Sequence, residues 1–348
     1  GAYPYLNSYS GPTWYITEDG NDTTATGASG DPFRSIQAGI NFSSDADSVT
    51  VAAGTYVENV TFRGRNIKVV GEDRETTIID GEQTGRVISF LNGENRHAEV
   101  SNFTITNGYG GIAISHSNPT LKNLYIVGNN TPTHGGGINM FSSGPFISNV
   151  LLSDNFGEPG GSLNIDSSQP IMVKVNILNN TGGGIFITNS SPNIINSIIG
   201  NNSNDQIVFN PVQDSSEISI SYTNIFSGID NAVVTNDNGT VNWGPGNIDV
   251  DPMFVDTANG DFSLLPDSRL IDTGHPDSTD IDGTIADMGA YYYDQAGQPV
   301  RISNLITTPS ADNVAVKWNA NSDAASYNIY RSTDGSADFY SLSPYTLA

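Results

Sequence analysis

GGIAISHSNPTLKNLYIVGNN (residues 110–130) is followed by GGGINMFSSGPFISNVLLSDN (135–155), GGSLNIDSSQPIMVKVNILNN (160–180) and GGGIFITNSSPNIINSIIGNN (182–202). These four segments are one pattern. The first apolar residue after the glycines is Ile112, Ile138, Leu163 or Ile185, and a proline follows seven positions later: Pro119, Pro145, Pro170, Pro192. Ten positions beyond each proline stands Asn129, Asn155, Asn180 or Asn202. The copies begin 26, 25 and 22 residues apart, with the variation confined to the glycine-rich joints. A fixed interior with a variable joint is the signature of a solenoid.

Within a copy the apolar residues alternate, as in Ile112, Ile114, Leu121, Leu124 and Ile126, and period two means strands. Runs of three to five residues between Gly, Asn, Ser and Pro are too short for helices, which leaves three short strands per coil. A strand recurring once per coil in one direction pairs in parallel with its copy, with like residues ~4.8 Å apart along the axis. The expected fold is therefore all-β, a parallel β-helix. Ile112, Ile138, Leu163 and Ile185 form one interior column, and the four asparagines form a structural ladder of side-chain amides. Asparagine suits that column because it tolerates the left-handed conformation of a coil corner.

Composition narrows the rest. The 348 residues contain 13 Lys plus Arg against 37 Asp plus Glu, a net charge of −24. Such a surface repels nucleic acid and anionic membranes, and would repel an acidic polysaccharide unless a cation intervened. Cysteine is absent, so disulfides and thiolate metal sites are excluded. Neither a long apolar span nor a signal peptide is expected. Acidity, few lysines and a modular layout point outside the cell, to a secreted or surface-attached protein.

In chain order, residues 1–48 read as a lead-in with a strand at Thr13–Thr17 and a capping helix. Asp31 is the expected cap, Pro32 the first helical residue, and Phe33, Ile36 and Ile40 the buried face. Such a helix plugs the open end of a solenoid. Coils are expected over 49–230. The order DGND…DPFRSIQAGI…VTVAAGTYVENV, followed by Gly-Gly-Gly-Ile coils with Ser-Pro-x-Ile turns, resembles the secreted right-handed parallel β-helix proteins of the pectate-lyase-like superfamily over residues 14–294. The resemblance implies a right-handed helix and an extracellular polysaccharide partner, with lyase, hydrolase and non-catalytic surface proteins all on this scaffold.

Residues 231–298 resemble the closing module of bacterial secreted β-helices, rich in Asp249, Asp251, Asp256, Asp261, Asp272, Asp280, Asp282 and Asp287. Outward Phe146, Leu151, Ile171 and Ile198 require cover, which Met253, Phe254, Phe262, Leu264, Ile271 and Tyr291–Tyr293 can supply. Residues 299–348 resemble the opening of a fibronectin type III domain, with Trp318 on its second strand. About fifty residues are half of a sandwich of ~100, so an incomplete module and further modules of the same polypeptide are expected.

Three groups of residues are candidates for chemistry. Asp19, Asn21, Asp22 and Asp31 offer hard oxygen ligands for Ca²⁺, as do Asp277, Asp280 and Asp282; both also serve as solvated turns and caps. His97, His116 and His134, with Arg96, come from adjacent coils and are expected to share a substrate-binding rim. Hydrolysis on such a scaffold needs paired acids. Asp80, Asp154 and Asp166 are the few mid-coil aspartates, and neither Asp154 nor Asp166 has an evident carboxylate partner one coil away. Lys122 and Lys174 read as solvated surface lysines, so no catalytic constellation emerges. The two functional expectations are a polysaccharide lyase or glycoside hydrolase, and a non-catalytic adhesin or spacer.

Overall fold

In the computed structural model, the residues described are 9–158, 160–212, 214–226, 232–295, 306–309, 314–317, 329–331 and 340–342. Residues 1–293 form one compact unit and residues 294–348 a second. In the first unit an eight-stranded and a fourteen-stranded sheet wind along one axis, every pairing between coils parallel. Ile112, Ile138, Leu163 and Ile185 pair successively in register, and all are buried. Each such aliphatic side chain removed from water contributes about 1.5–3 kcal/mol, so the column is the main support of the rod.

In the first three repeats the second and third runs join into one bent strand, Thr120–Val127, Phe146–Ser153 and Ile171–Leu178, and in the fourth they are two strands, Asn193–Ile195 and Ile198–Gly200. The bend is a single left-handed residue, and register stacks Asn102, Asn123, Asn149, Lys174, Asn196 and Tyr222 at it. Parallel pairing reaches beyond 49–230 in both directions. Thr13–Ile16 is already a rung, paired with Ser48–Val51, and Gly239–Trp243 pairs with Ser216–Ser221.

The helix at the first end starts later than the sequence indicates. It spans Ile36–Phe42, with Ser35 as its cap and the Ser35 side chain accepting from the Ala38 amide. Phe33 is instead bridged in parallel to Ile16, ahead of the helix, and Asp31 accepts from the Thr26 amide and hydroxyl. Phe33, Ile36 and Ile40 are fully buried, as the plug requires. Gly39 is needed for the close approach: a Cβ there would lie 2.8 Å from Ile16 and 2.9 Å from Val49. Glu58 accepts both first-turn amides, Ile36 N and Gln37 N. Burial raises its carboxyl pKa, those two bonds oppose the rise, and nearby Asp22 adds to it.

Two polar ladders run through the rod. Asn129 donates its amide N–H and side-chain N–H to Asn155 Oδ1, Asn155 does the same to Asn180, and Asn180 to Asn202. These asparagines are not the left-handed residues. That conformation belongs to the residue before each: Gly128, Asp154, Asn179, Asn201. The ladder asparagines turn inward and bond the carbonyls of Ile105, Ile126, Leu152 and Ile177. A serine ladder parallels them, each amide of Ser117, Ser143, Ser168 and Ser190 donating to the next serine hydroxyl, up to Ser216. It begins on buried Glu94, which takes the Ser117 hydroxyl at 2.7 Å.

The closing module lies along the side of the rod. Phe262, Leu264, Leu270, Ile271 and Met288 pack on Leu151, Leu178 and Ile198, outward residues of the fourteen-stranded sheet. Phe146 is instead half-buried under the Arg96 guanidinium, 5.8 Å from its ring centre. Lys174 is a correction: it is half-buried and ion-paired to Asp280 of the closing module, side-chain exposures being 13% and 3%. At the module's end, Ala290 N donates to Asn176 Oδ1 at 3.0 Å and Gly289 N to Asn196 O at 2.7 Å. Arg74 lies 4.4 Å from the Tyr125 ring centre and 4.8 Å from that of Tyr291, a clamp from the early coils.

In the second unit, Ile306–Pro309 pairs antiparallel with Val314–Lys317, and Ile329–Arg331 with Tyr340–Leu342. Trp318 and most of the segment read as fibronectin type III-like lie outside the described residues.

Candidate functional site

The closing module's apolar cluster draws on the fourteen-stranded sheet alone; on the outer face of the eight-stranded sheet Phe141 stays exposed, while Asn164, Phe186 and Thr188 are buried. Strand alternation places two outward rows on that face. One row runs Ser89, Ala113, Asn139, Asn164, Phe186, Val208; the other includes Ser115, Phe141, Asp166 and Thr188. Phe141 remains 44% exposed, and Leu91, just past the Ile88–Phe90 strand, 50%. Asn164 donates to Asn139 Oδ1 at 2.8 Å, an amide pair beside the Phe141 ring.

His116 is the left-handed residue that ends the Ile112–Ser115 strand, with Nδ1 2.9 Å from Ser115 Oγ. Its ring meets Phe141 edge-on at 5.4 Å. Asp166, one rung beyond Phe141, accepts from the Ser167 hydroxyl at 2.9 Å. His134 lies in the glycine-rich connection that enters the Ile138–Phe141 strand, its ring 5.6 Å from Phe186. His116 and His134 therefore flank opposite ends of the strands. His97 is on neither; it precedes the Glu99–Thr106 strand of the other sheet and bonds Asn95 Oδ1 through its amide and ring. Arg96 beside it covers Phe146. The single rim expected for the three histidines does not form, because His134 enters its strand at the end opposite to the one His116 leaves; His97 stands in the adjacent coil's turn, over Asn118 in register.

Arg86 is the residue whose position the sequence did not signal. Its guanidinium donates to Gly135 O at 2.8 Å and reaches His134 O at 3.5 Å, pinning the loop two coils on. Burial lowers its pKa, against the opposing effect of the Tyr109 phenol. Among the described residues no carboxylate pairs with it.

Most of the acids and amides expected to hold calcium are engaged by nearby donors. Asn21 Oδ1 caps Thr23 N and Thr24 N; Asp22 Oδ1 accepts from Arg34 N and Ser35 N. Asp19 is exposed. Asp280 holds Lys174 and Asp287 N, Asp282 accepts from Thr284, and Asp277 N donates to His275 Nδ1. Among the described residues, no three His, Cys, Asp or Glu side chains converge as a metal site.

The face can stack a ring on exposed Phe141 and hydrogen-bond hydroxyls through half-buried Asn139 and exposed His116, while Asn164 and Thr188 on the same rows are buried. Asp166 is the single carboxylate on the described strands of this sheet. An acid pair of the kind that cleaves glycosides is therefore not built into those strands.

Residues 38–210 match the family model described as "Right handed beta helix region". The matched segment is a right-handed β-helix. Among solved structures, the chain is similar to pectate lyase Pel9A at 14% identity, covering 82% of this chain and 97% of that one, with a TM-score of 0.48. It is similar to pectin methylesterase from carrot at 14% identity, covering 69% and 84%, TM-score 0.49. A rhamnogalacturonan lyase matches at 12% identity over 63% and 69%, TM-score 0.33. These are likenesses of fold. No curated protein matches the sequence.

Proposed function

We propose that the outer face of the eight-stranded sheet engages an extracellular polysaccharide lying along the rod axis. The observation that supports it is Phe141, an exposed ring edge-on to His116 and beside the Asn139–Asn164 amide pair. Apolar ring faces with adjacent amides match the alternating C–H and hydroxyl surfaces of a sugar. Rungs ~4.8 Å apart give an extended chain repeated contacts in one direction.

The lone Asp166 favours binding over acid-pair hydrolysis on this face, which fits an adhesin or spacer role. Affinity electrophoresis in gels containing neutral and uronate polysaccharides tests the reading. Retardation that F141A abolishes is expected; equal mobility of wild type in every gel would sink it. Ultraviolet absorbance of unsaturated products, with and without Ca²⁺, and reducing-sugar release tell a lyase or hydrolase from a binder.

A further inference from the structure

A second concave surface opens where the closing module meets the rod, away from the eight-stranded sheet. It is a cleft of about 390 Å³. Its apolar floor is Phe226, Phe254 and Phe262. Phe254 meets Phe262 edge-on at 5.4 Å and Phe226 at 6.4 Å, and fully buried Phe262 fixes the group. Its polar wall is Asn179, Asn201 and Asp251.

The wall has spare hydrogen-bonding capacity. Asn201 Nδ2 donates to Asn179 Oδ1 at 3.1 Å, and Asp251 Oδ1 accepts from Met253 N at 2.9 Å. Among the described residues, Asn201 Oδ1, Asn179 Nδ2 and Asp251 Oδ2 then carry no hydrogen bond. One donor, one neutral acceptor and one carboxylate oxygen beside three rings suit a group that both donates and accepts. Vicinal hydroxyls on a pyranose do both, while the ring C–H face covers apolar carbon. The volume is near the lower end of the range for ligand pockets, roughly 300–1,000 Å³, which suits one or two rings. No Lys, Arg or His lines it and Asp251 does, so an anionic sugar is disfavoured.

We propose that this cleft is a binding site for a neutral glycosyl unit, separate from the sheet face. Both asparagines sit in left-handed backbone, φ 58° at Asn179 and 57° at Asn201, so glycine removes either amide while keeping the turn. The test is saturation-transfer NMR on the full chain with the methyl pyranosides of glucose, galactose, mannose and rhamnose. Wild type is expected to transfer to at least one of them. The N179G/N201G variant, and independently D251N, should weaken that ligand by about tenfold or more, a change of ~1.4 kcal/mol. F141A should leave it unchanged, and thermal melts should show each variant folded. Transfer to none of the four sugars would overturn the site. So would binding that survives both cleft variants, or binding lost in F141A alone.

Discussion

The rod's asparagine ladder and the seam that holds its closing module are both buried polar systems, built in opposite ways. In the ladder a neutral amide is repeated once per coil, and each Oδ1 takes two donors from the coil before. In the seam, charged groups are used once: Lys174 with Asp280, and Asp287 accepting from Asp272 N and Tyr293 N. Repetition spreads the cost of burying polar atoms over many rungs. A single ion pair concentrates it, and losing one partner strands the other.

The comparison is tested most severely by Asn155→Ala. It removes the acceptor of two buried Asn129 donors, and the expected loss is about 4 kcal/mol in urea unfolding of the whole rod. A loss under about 1 kcal/mol would mean water replaces the amide and the ladder is not a support. Lys174→Ala follows, with about 3 kcal/mol lost to the stranded Asp280 carboxylate. Here the damage should be local: early proteolysis within 245–293 while the coils stay protected. Adding Asp280→Asn should recover part of it, and no recovery would show that the stranded charge is not the cause.

Asp287 sharpens the seam further. Burial pushes its carboxyl pKa up to about 6, with Asp280 and Asp272 adding repulsion against the two N–H donors. A folded value above the unfolded 3.8 means the ionised form is penalised in the fold. Stability is therefore gained as pH falls through about 6 toward 4, and lost as pH rises through that window. The swing expected is on the order of 2–3 kcal/mol. Melting temperature against pH should show it in wild type and not in Asp287→Asn; identical slopes would remove Asp287 as its source. The smallest effect is Phe141→Ala, within about 0.5 kcal/mol of wild-type stability. A larger loss would make that ring part of the packing, not a free surface.

What could be read from the sequence follows the same division. The column from Ile112 to Ile185 and the ladder from Asn129 to Asn202 were legible because they recur at fixed offsets from a proline. The reason given for the asparagines was displaced by one residue, since local sequence shows that a corner needs a left-handed residue but not which of two neighbours supplies it. Lys174 stands where other coils carry asparagine and looked solvated, because its partner is 106 residues away and repeats nowhere. Arg86 was hidden for a similar reason, its acceptors being backbone carbonyls with no residue identity to read. The three histidines were adjacent in coils but not on one face, a matter of which turn each occupies.

The asparagine column ends on a different residue. Gln206 Oε1 takes the two donors of Asn202, and Gln206 Nε2 turns back to Asn202 O and Asn204 O. Its amide is used up within its own coil and offers nothing to a rung beyond. The side-chain column thus carries its own terminator, and a lineage that extends this amide spine by duplicating a coil must also move the glutamine to the new end.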